Sequence, residues 1–340
     1  MKIWLPYIAA GGGADVFTEH FGAGLTQAGH EVVITAFPRR YLAFPYLLRF
    51  AQLPKDTDII AVHSWWAFAF RREGVPLVMI EHGLVLDPDY QPYRTFAQAL
   101  RHRLLLRQFI SAGLAAADAV VSVSQYTATS LQKVFGYNDS IVILNGIDTN
   151  FFSPESVVDT KQTNDRRFKV LFVGHLIRRK GADLLPHIMR ELGKNYELRY
   201  TSGWRQNLEL ERLPNMTPLG LLNQEQLREE YRSANILLFP TRFDGFGLPV
   251  VEAMACSTPV VASRCCATPE LVEDGISGTL CPLDDIKCFT SAIRTIANDP
   301  IKAASMGTKA REYALKYFQD VAMIEKYVRL FEKLCKKKIQ

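Results

Sequence analysis

Two carboxylates, Asp244 and Glu252, stand at the ends of the segment Asp-Gly-Phe-Gly-Leu-Pro-Val-Val-Glu, which follows a strand-like run ending at Phe239. Its glycines allow a tight turn and a close approach of backbone to a ligand, and Pro249 suits the first residue of a helix. The first amides of such a helix are unpaired and bind phosphate well. The layout predicts a site for a phosphate between two hydroxyl-rich groups, as in a nucleotide-sugar. An ordinary strand–loop–helix connection stays open as the alternative.

Length and composition limit the classes of protein to consider. A chain of 340 residues suits two domains. Its apolar content is 48%, and no run approaches the ~18 residues of a membrane span. The N-terminus has no signal-peptide pattern, and the six cysteines form no C-x-x-C pair. We therefore expect a cytoplasmic protein with reduced thiols.

Strand-like and helix-like segments alternate along the chain. Most of the strand-like runs are short and β-branched, which suits parallel strands covered on both faces. The predicted strands are 2–8, 31–35, 59–62, 77–80, 119–123, 141–144, 169–173, 197–201, 236–239 and 259–262. This repetition predicts an α/β architecture with right-handed crossovers. Residues 153–167 have the weakest pattern and are interpreted as a linker, and 320–338 is predicted to form an amphipathic helix.

Several further short motifs occur in a fixed order along the chain. They are Gly11-Gly12-Gly13, Gly29-His30-Glu31-Val32, Glu81-His82-Gly83, Asn145-Gly146-Ile147-Asp148, Val173-Gly174-His175-Leu176 with Lys180-Gly181, the segment 244–252, and Pro259-Val260-Val261-Ala262 with Pro269-Glu270-Leu271-Val272. Together they resemble the retaining glycosyltransferases of family 4. The resemblance implies the α/β GT-B fold, in which two Rossmann-like domains with parallel sheets face each other across an interdomain cleft. It implies an acceptor-side domain at 1–155, a nucleotide-sugar domain at 168–318 and a final helix, 319–340, that crosses back to the first domain.

The same resemblance implies roles for individual residues. Glu252 matches the carboxylate that holds the nucleotide ribose, and Asp244 matches a residue that contacts the donor sugar. Lys180 matches the lysine that neutralises the diphosphate, and His82 matches a histidine that faces the transferred sugar. The implied catalytic residues are His82, Lys180 and Asp244. The implied donor-binding residues are Gly12, Gly13, His175, Arg178, Arg179, Lys180, Gly220, Leu221, Asp244, Gly245, Phe246, Gly247, Leu248 and Glu252.

The chemistry of sugar transfer explains why such residues are needed. Breaking a sugar–phosphate bond places negative charge on the departing diphosphate and positive charge on the sugar. Lys180 and the amides of residues 246–248 are expected to stabilise the diphosphate. In retaining transferases a diphosphate oxygen is thought to take the acceptor proton, so His82 would orient the sugar or stabilise charge. A core histidine at 82 and a solvated lysine at 180 remain the alternatives.

Three positions depart from the family pattern. His175 stands where an arginine is usual, so that Arg178 or Arg179 is expected to supply the permanent charge. Asp244 is one methylene shorter than the usual glutamate. Cys266-Ala267 replaces a glycine pair, which puts a positive φ there in doubt. These departures favour an unusual donor over a loss of activity.

No cofactor and no metal are expected, because the nucleotide-sugar is a co-substrate. Two Asp-x-Asp strings are close to the number that chance provides, and the glycine-rich start does not complete a dinucleotide fingerprint. Neither the donor base nor its sugar can be read from the residues. The expected function is synthesis of a cell-surface polysaccharide or glycolipid. A catalytically silent sugar-binding protein and a sugar-nucleotide epimerase of related fold remain the alternatives.

Two segments, 37–50 and 94–107, predict where an acceptor is met. Together they contain seven arginines, several aromatic residues and no acidic residue. Such segments suit an anionic membrane surface that presents a lipid-linked acceptor, although arginines on the wet face of a helix would look the same. The acceptor is expected to be a glycan or lipid-linked, and the protein is expected to be cytoplasmic and peripheral on the inner face of the cell membrane. No nucleic-acid motif is present, and nucleic acid is not an expected partner.

Overall fold

The computed structural model describes residues 1–9, 11, 13–154, 167–202 and 208–337. Its strands are β1 Lys2–Ile8, β2 Glu31–Phe37, β3 Ile59–His63, β4 Leu77–Glu81, β5 Ala119–Ser122, β6 Ile141–Val142, β7 Phe168–Phe172, β8 Tyr196–Thr201, β9 Met216–Gly220, β10 Ile236–Phe239, β11 Val260–Ser263 and β12 Gly278–Cys281. Its α-helices are α1 Gly13–Gln27, α2 Phe96–Arg101, α3 Arg107–Ala116, α4 Gln125–Phe135, α5 Leu185–Leu192, α6 Gln224–Ser233, α7 Leu248–Ala255, α8 Thr268–Leu271, α9 Ile286–Asn298, α10 Pro300–Tyr317 and α11 Asp320–Lys337.

The chain divides into two compact units. Unit 1 comprises Met1–Asn145 with Asp320–Gln340, and unit 2 comprises Gly146–Gln319. The second unit therefore begins ahead of the boundary at 155 that the sequence suggested. The reason is a set of contacts within unit 2, in which Arg311 donates to the carbonyl oxygens of Thr149 and Phe152 and Arg232 donates to that of Ser153. Residues 155–166 of the predicted linker lie outside the described part of the chain.

Unit 1 contains a six-stranded parallel sheet in the order β2-β1-β3-β4-β5-β6. Its central strands β3 and β4 are apolar and buried along nearly their whole length, as expected for strands covered on both faces. Helix α11 packs on α1 through Tyr327, whose ring centre lies 4.5 Å from that of Phe21. The final helix therefore contributes to the core of unit 1.

Unit 2 contains a second six-stranded parallel sheet in the order β12-β11-β10-β7-β8-β9. The sequence did not predict β9 and β12, which are the two edge strands. Pro218 is tolerated within β9 because one side of an edge strand needs no ladder partner, and Gly278 begins β12 where a Cβ would lie 2.6 Å from the Val260 carbonyl oxygen. The predicted α/β class is confirmed, with each sheet wound by crossover helices.

Candidate functional site

The strand order of unit 2 reverses direction at β7 and β10, which are neighbours in the sheet although β8 and β9 lie between them in sequence. In open α/β sheets, ligands bind at the carboxyl ends of strands at such a reversal. The segments that leave these two ends are 173–181 after β7 and 240–247 after β10. Both segments contain residues that the sequence analysis singled out, so the fold brings those residues to one position in unit 2.

The two segments are bonded directly to each other. The backbone N–H of Arg242 donates to the carbonyl oxygen of Arg179 at 2.9 Å, and the Arg179 guanidinium donates to the carbonyl oxygen of Phe243 at 2.7 Å. Gly181 has a φ of 72°, and a Cβ there would lie 2.0 Å from the Pro240 carbonyl oxygen. Only glycine permits this approach. Arg179 is thus a structural contact between the two segments.

Arg242 is a buried cation that the sequence analysis did not identify. Its guanidinium binds both carboxylate oxygens of Asp183, at 2.7 and 2.9 Å, and one oxygen of Asp284 at 2.6 Å. Burial by itself lowers the pKa of Arg242, but the bonds to the two aspartates outweigh burial and raise it. The bidentate contact with Asp183 fixes the position of the guanidinium as well as compensating its charge. No spacing in the sequence connects these three residues.

Lys180 and Asp244 form an ion pair at the junction of the two segments. Burial raises the pKa of the Asp244 carboxyl, but the charges of Lys180 and Arg179 and the bonds from Lys180 and the Phe246 amide bring it below its usual value. Burial lowers the pKa of Lys180, and the carboxylate opposes that effect. The carboxylate is therefore charged, because Lys180, Arg179 and the Phe246 amide all stabilise its negative charge. The predicted solvated lysine is not what the structure contains, since the Lys180 side chain is only 13% exposed.

Helix α7 begins at Leu248, one residue before the predicted start at Pro249. The preceding Gly247 has a φ of 108°, a conformation that other residues rarely adopt. The sequence suggested that the amides of 246–248 are unpaired, but the Phe246 amide already binds Asp244. Glu252 lies in α7, and the Tyr231 hydroxyl donates to its carboxylate at 2.7 Å. Tyr231 is the other residue of this site that the sequence analysis missed.

The remaining predicted donor residues of unit 2 lie at or after the carboxyl ends of β7, β9 and β10. His175 follows β7, and its carbonyl oxygen accepts from the Ile177 amide at 2.9 Å. The Arg178 side chain is 75% exposed and lies 4.0 Å from Asp183. Gly220 ends β9 with a φ of 72°, and Leu221 after it is exposed. Gly245 lies within the segment that precedes α7.

His82 and Gly13 belong to unit 1, whereas Gly12 lies outside the described residues. His82 follows β4, and its ring stacks on that of His63 at a centroid distance of 5.3 Å. Burial, followed by the charge of His63, keeps the pKa of His82 well below its usual value, and burial lowers that of His63 to about 4. At neutral pH both imidazoles are therefore uncharged. His63, at the end of β3, is a neighbour that the sequence analysis did not identify.

The segment that replaces the usual glycine pair keeps a left-handed residue. Cys266 has a φ of 51°, and Ala267 has an ordinary φ of −78°. The sequence analysis doubted a positive φ at this segment, and for Cys266 that doubt was wrong. A non-glycine residue in this region costs on the order of 1 kcal/mol. The turn is held by its surroundings, including the bond of the Cys265 thiol to the Thr241 carbonyl oxygen at 3.2 Å.

Within the described ranges, no group of three or more histidine, cysteine, aspartate or glutamate side chains is arranged to hold a metal ion. In the same part of the chain, none of the helices combines the length and apolar character that crossing a bilayer requires.

Two protein-family profiles match this chain. Residues 167–299 match the family described as Glycosyl transferases group 1, and residues 33–151 match Glycosyltransferase Family 4. Among curated relatives, an uncharacterized glycosyltransferase of Methanocaldococcus jannaschii is 24% identical over 84% of this chain and 81% of its own length. A D-inositol 3-phosphate glycosyltransferase of Catenulispora acidiphila is 28% identical over 77% of this chain and 69% of its own.

Solved structures share the fold. Sucrose-phosphate synthase from Thermosynechococcus elongatus superimposes with a TM-score of 0.84 at 22% identity, covering 98% of this chain and 99% of that one. The Anabaena protein HepE, solved in complex with UDP-glucose, gives a TM-score of 0.79 at 20% identity, covering 98% of this chain and all of that one. The predicted GT-B architecture of two Rossmann-like units is therefore confirmed.

The Lys180–Asp244 ion pair yields a stability prediction. Lys180→Met leaves the Asp244 carboxylate partly buried without its cation, and we expect a loss of about 2 kcal/mol in the free energy of unfolding, measured by urea denaturation at pH 7. Adding Asp244→Asn removes the unpaired charge and should recover more than half of that loss. Because the pKa of Asp244 is lowered, the contribution of the pair is present at neutral pH and is lost as the pH falls below about 4.

The control is Lys309→Met, the same substitution at an exposed pair with Glu312, where no measurable change is expected. If Lys180→Met and Lys309→Met have equal free energies of unfolding, the Lys180–Asp244 pair does not stabilise the fold.

Proposed function

The chain belongs to the family 4, group 1 glycosyltransferases, and we propose that it transfers a sugar, with retention of anomeric configuration and without a metal, from a nucleotide-sugar to a glycan or lipid-linked acceptor. The observation that carries the proposal is the convergence of Lys180, Asp244 and the start of α7 at the strand reversal of unit 2. These groups supply a cation, a carboxylate and the first amides of a helix at one point. A nucleoside diphosphate carrying a sugar is the ligand class that needs all three.

We propose that the donor lies with its ribose at Glu252 and its base against Leu221. Glu252 would accept hydrogen bonds from the two vicinal ribose hydroxyls, which is a charge-assisted contact. The exposed Leu221 follows Gly220 at the carboxyl end of β9 and offers an apolar surface to a base. The diphosphate would meet the amides of Gly247 and Leu248, at the positive end of α7.

Lys180 has the capacity to serve two partners. An ammonium has three N–H donors, and one of them is directed at Asp244. The pair therefore orients Lys180 and leaves donors for a phosphate oxygen. As the sugar–phosphate bond breaks, negative charge grows on the diphosphate, and a fixed cation stabilises that charge without reorganisation. The exposed Arg178 would add a second positive charge in place of the arginine that His175 replaces.

Asp244 would bind hydroxyls of the donor sugar with the carboxylate oxygen that Lys180 does not occupy. Because the pKa of Asp244 is lowered, the group is an acceptor at neutral pH and cannot donate a proton. A diphosphate oxygen would take the acceptor's proton on the face from which the leaving group departs, which gives retention. The role of His82 toward the sugar stays a prediction from the family resemblance.

Consumption of a donor tests the transferase assignment. We expect one member of a panel of UDP-, GDP- and ADP-sugars to release its nucleoside diphosphate at a rate that EDTA does not change. NMR should show that the sugar in the product has the same anomeric configuration as in the donor. Inverted product would contradict retention, and loss of release in EDTA would contradict metal independence. If no donor is consumed, a silent sugar-binding protein is the better account, and release of an epimerised sugar would indicate an epimerase.

Glu252→Ala should remove donor binding while the fold survives. Two hydrogen bonds to a charged acceptor are lost, each worth ~1.5–3 kcal/mol, so the affinity for the consumed donor's nucleoside diphosphate should fall at least about 100-fold. Isothermal titration calorimetry measures this affinity, and thermal denaturation checks the fold. Glu209→Ala, an exposed glutamate of the same unit, is the control. Unchanged affinity in Glu252→Ala would remove the ribose assignment.

A lipid-linked acceptor is supported by one surface of unit 1, which we call the basic–aromatic face and define as residues 37–50 and 94–107. The two segments adjoin, since the Arg101 guanidinium donates to the Leu42 carbonyl oxygen at 2.7 Å. The arginines Arg39, Arg40, Arg49, Arg101, Arg103 and Arg107 are exposed. Large apolar side chains are exposed beside them, namely Phe44, Tyr46, Leu47, Phe50, Phe96, Leu100, Leu104 and Leu105.

This composition favours a membrane over plain solvent as the surroundings of the face. Phe50 and Phe96 are 86% and 87% exposed, so these two side chains do not stabilise the isolated fold by burial. Arginines alone on a wet helix face would not require exposed phenylalanines beside them. Partial insertion of the aromatic side chains, together with ~1 kcal/mol for each basic side chain near anionic lipid, would hold unit 1 at a leaflet.

Liposome flotation tests the basic–aromatic face. We expect recovery with vesicles of phosphatidylglycerol and phosphatidylcholine, weaker but detectable recovery at 0.5 M salt, and little with phosphatidylcholine alone. Arg39, Arg40 and Arg103 replaced by Ser should weaken binding, and Phe50 with Phe96 replaced by Ser should remove its salt-resistant part. The matched control replaces Arg212, Lys287 and Lys302, three exposed basic residues of unit 2. Equal recovery with both vesicle types, or an equal effect of the control, would favour a soluble acceptor.

A further inference from the structure

The Glu252 carboxylate is held from within the protein by Tyr231. Tyr231 is fully buried near the end of α6, and its hydroxyl donates to one carboxylate oxygen of Glu252, Oε2, at 2.7 Å. The contact joins two helices, because Glu252 lies in α7. Glu252 itself is only partly buried, so the carboxylate lies between a buried donor and the solvent side.

The tyrosine is fixed at both ends. Its carbonyl oxygen accepts from the Thr258 hydroxyl at 2.6 Å, in the turn that follows α7. Its ring lies 6.0 Å from that of Phe152, edge to face. Burial, followed by the charge of Glu252, holds the pKa of Tyr231 well above its usual value. The hydroxyl therefore keeps its proton and remains a donor throughout the neutral pH range.

Helix α6 links this contact to the segment where the base is proposed to pack. The helix begins after Asn223, whose side chain accepts from the Gln226 amide at 2.8 Å, while the Gln226 side chain accepts from the Asn223 amide at 3.0 Å. Gly220 and Leu221 precede this cap and are separated from Asn223 by one residue, Leu222. One helix of ten residues thus follows the base segment and has the carboxylate's partner near its end.

We propose that Tyr231 is a positioning residue for donor binding, which directs Glu252 toward the ribose hydroxyls and sets its distance from the base segment. The inference rests on the proposed function of Glu252. With the tyrosine hydroxyl bound to Oε2, the carboxylate is held in one rotamer. A ligand that supplies two vicinal hydroxyls then meets an acceptor that needs no reordering, and pre-organisation of this kind strengthens binding. A ligand without those hydroxyls gains nothing from it.

The test compares Tyr231→Phe with Tyr327→Phe by calorimetry. Both substitutions remove the hydroxyl of a fully buried tyrosine, but Tyr327 lies in unit 1 and its hydroxyl has no hydrogen-bond partner among the described residues. The first probe is whichever of UDP, GDP and ADP the wild-type protein binds most tightly. The second probe is the 2′,3′-dideoxy form of the same nucleotide. We expect Tyr231→Phe to weaken binding of the ribonucleotide about tenfold. Its affinity for the dideoxynucleotide should change less than about twofold, and Tyr327→Phe should change neither.

The comparison separates a positioning role from loss of structure. A purely structural effect would weaken the ribonucleotide and the dideoxynucleotide by the same factor, and that result would overturn the proposal. Unchanged ribonucleotide affinity in Tyr231→Phe, with a large loss in Glu252→Ala, would also overturn it while leaving the ribose assignment intact. If Glu252→Ala binds the ribonucleotide as wild type does, the proposed function fails first and the inference falls with it.

Discussion

The candidate site depends on the bonding between the two segments that leave β7 and β10. These strands are adjacent in the sheet but far apart in the chain, so nothing local holds their following segments together. The close contact of Gly181 with the Pro240 carbonyl oxygen and the Arg242 contacts to Asp183 and Asp284 provide that link. Arg242 has two anionic partners and almost no exposed surface. The bidentate contact of Arg242 with Asp183 permits one geometry, which is why this arrangement is rigid.

Rigidity at this point suits the chemistry that we propose for the site. A cation that stabilises a leaving diphosphate acts best when it is already in place before the bond breaks. Lys180 is held by Asp244, and Asp244 in turn is held by Lys180 and the Phe246 amide. The family pattern has a longer carboxylate at position 244. The shorter side chain of Asp244 brings its carboxylate close to its own backbone, and the Phe246 amide takes up one of its acceptor positions. In the proposed binding mode, the donor sugar would meet a carboxylate set back by about one methylene.

Much of the fold could be predicted because its signals are local. Central strands such as β3 and β10 are continuous apolar runs, since helices cover both faces of a parallel sheet. The edge strands β9 and β12 lack that signal. Glu252, Lys180 and Asp244 were singled out because each lies in a short local motif that resembles the family pattern. Tyr231 could not be recognised, because its contact with Glu252 joins two helices and leaves no periodic trace in the sequence.

The conformation of individual residues was harder still to predict. Cys266 adopts a left-handed conformation that its residue type disfavours, because neighbouring segments over-determine the turn. The Phe246 amide was expected to be available to a phosphate, yet a side chain two residues earlier captures it. Short-range competition of this kind between a side chain and backbone amides depends on a single rotamer, and residue types alone do not specify it.

A crystal structure of the protein with the consumed donor's nucleoside diphosphate would show whether unit 2 binds a nucleotide-sugar at the strand reversal between β7 and β10. We predict that the ribose hydroxyls lie within hydrogen-bond distance of the Glu252 carboxylate and that a diphosphate oxygen contacts Lys180 and the amide of Leu248. A nucleotide bound elsewhere, or one whose diphosphate is remote from Lys180, would contradict the account.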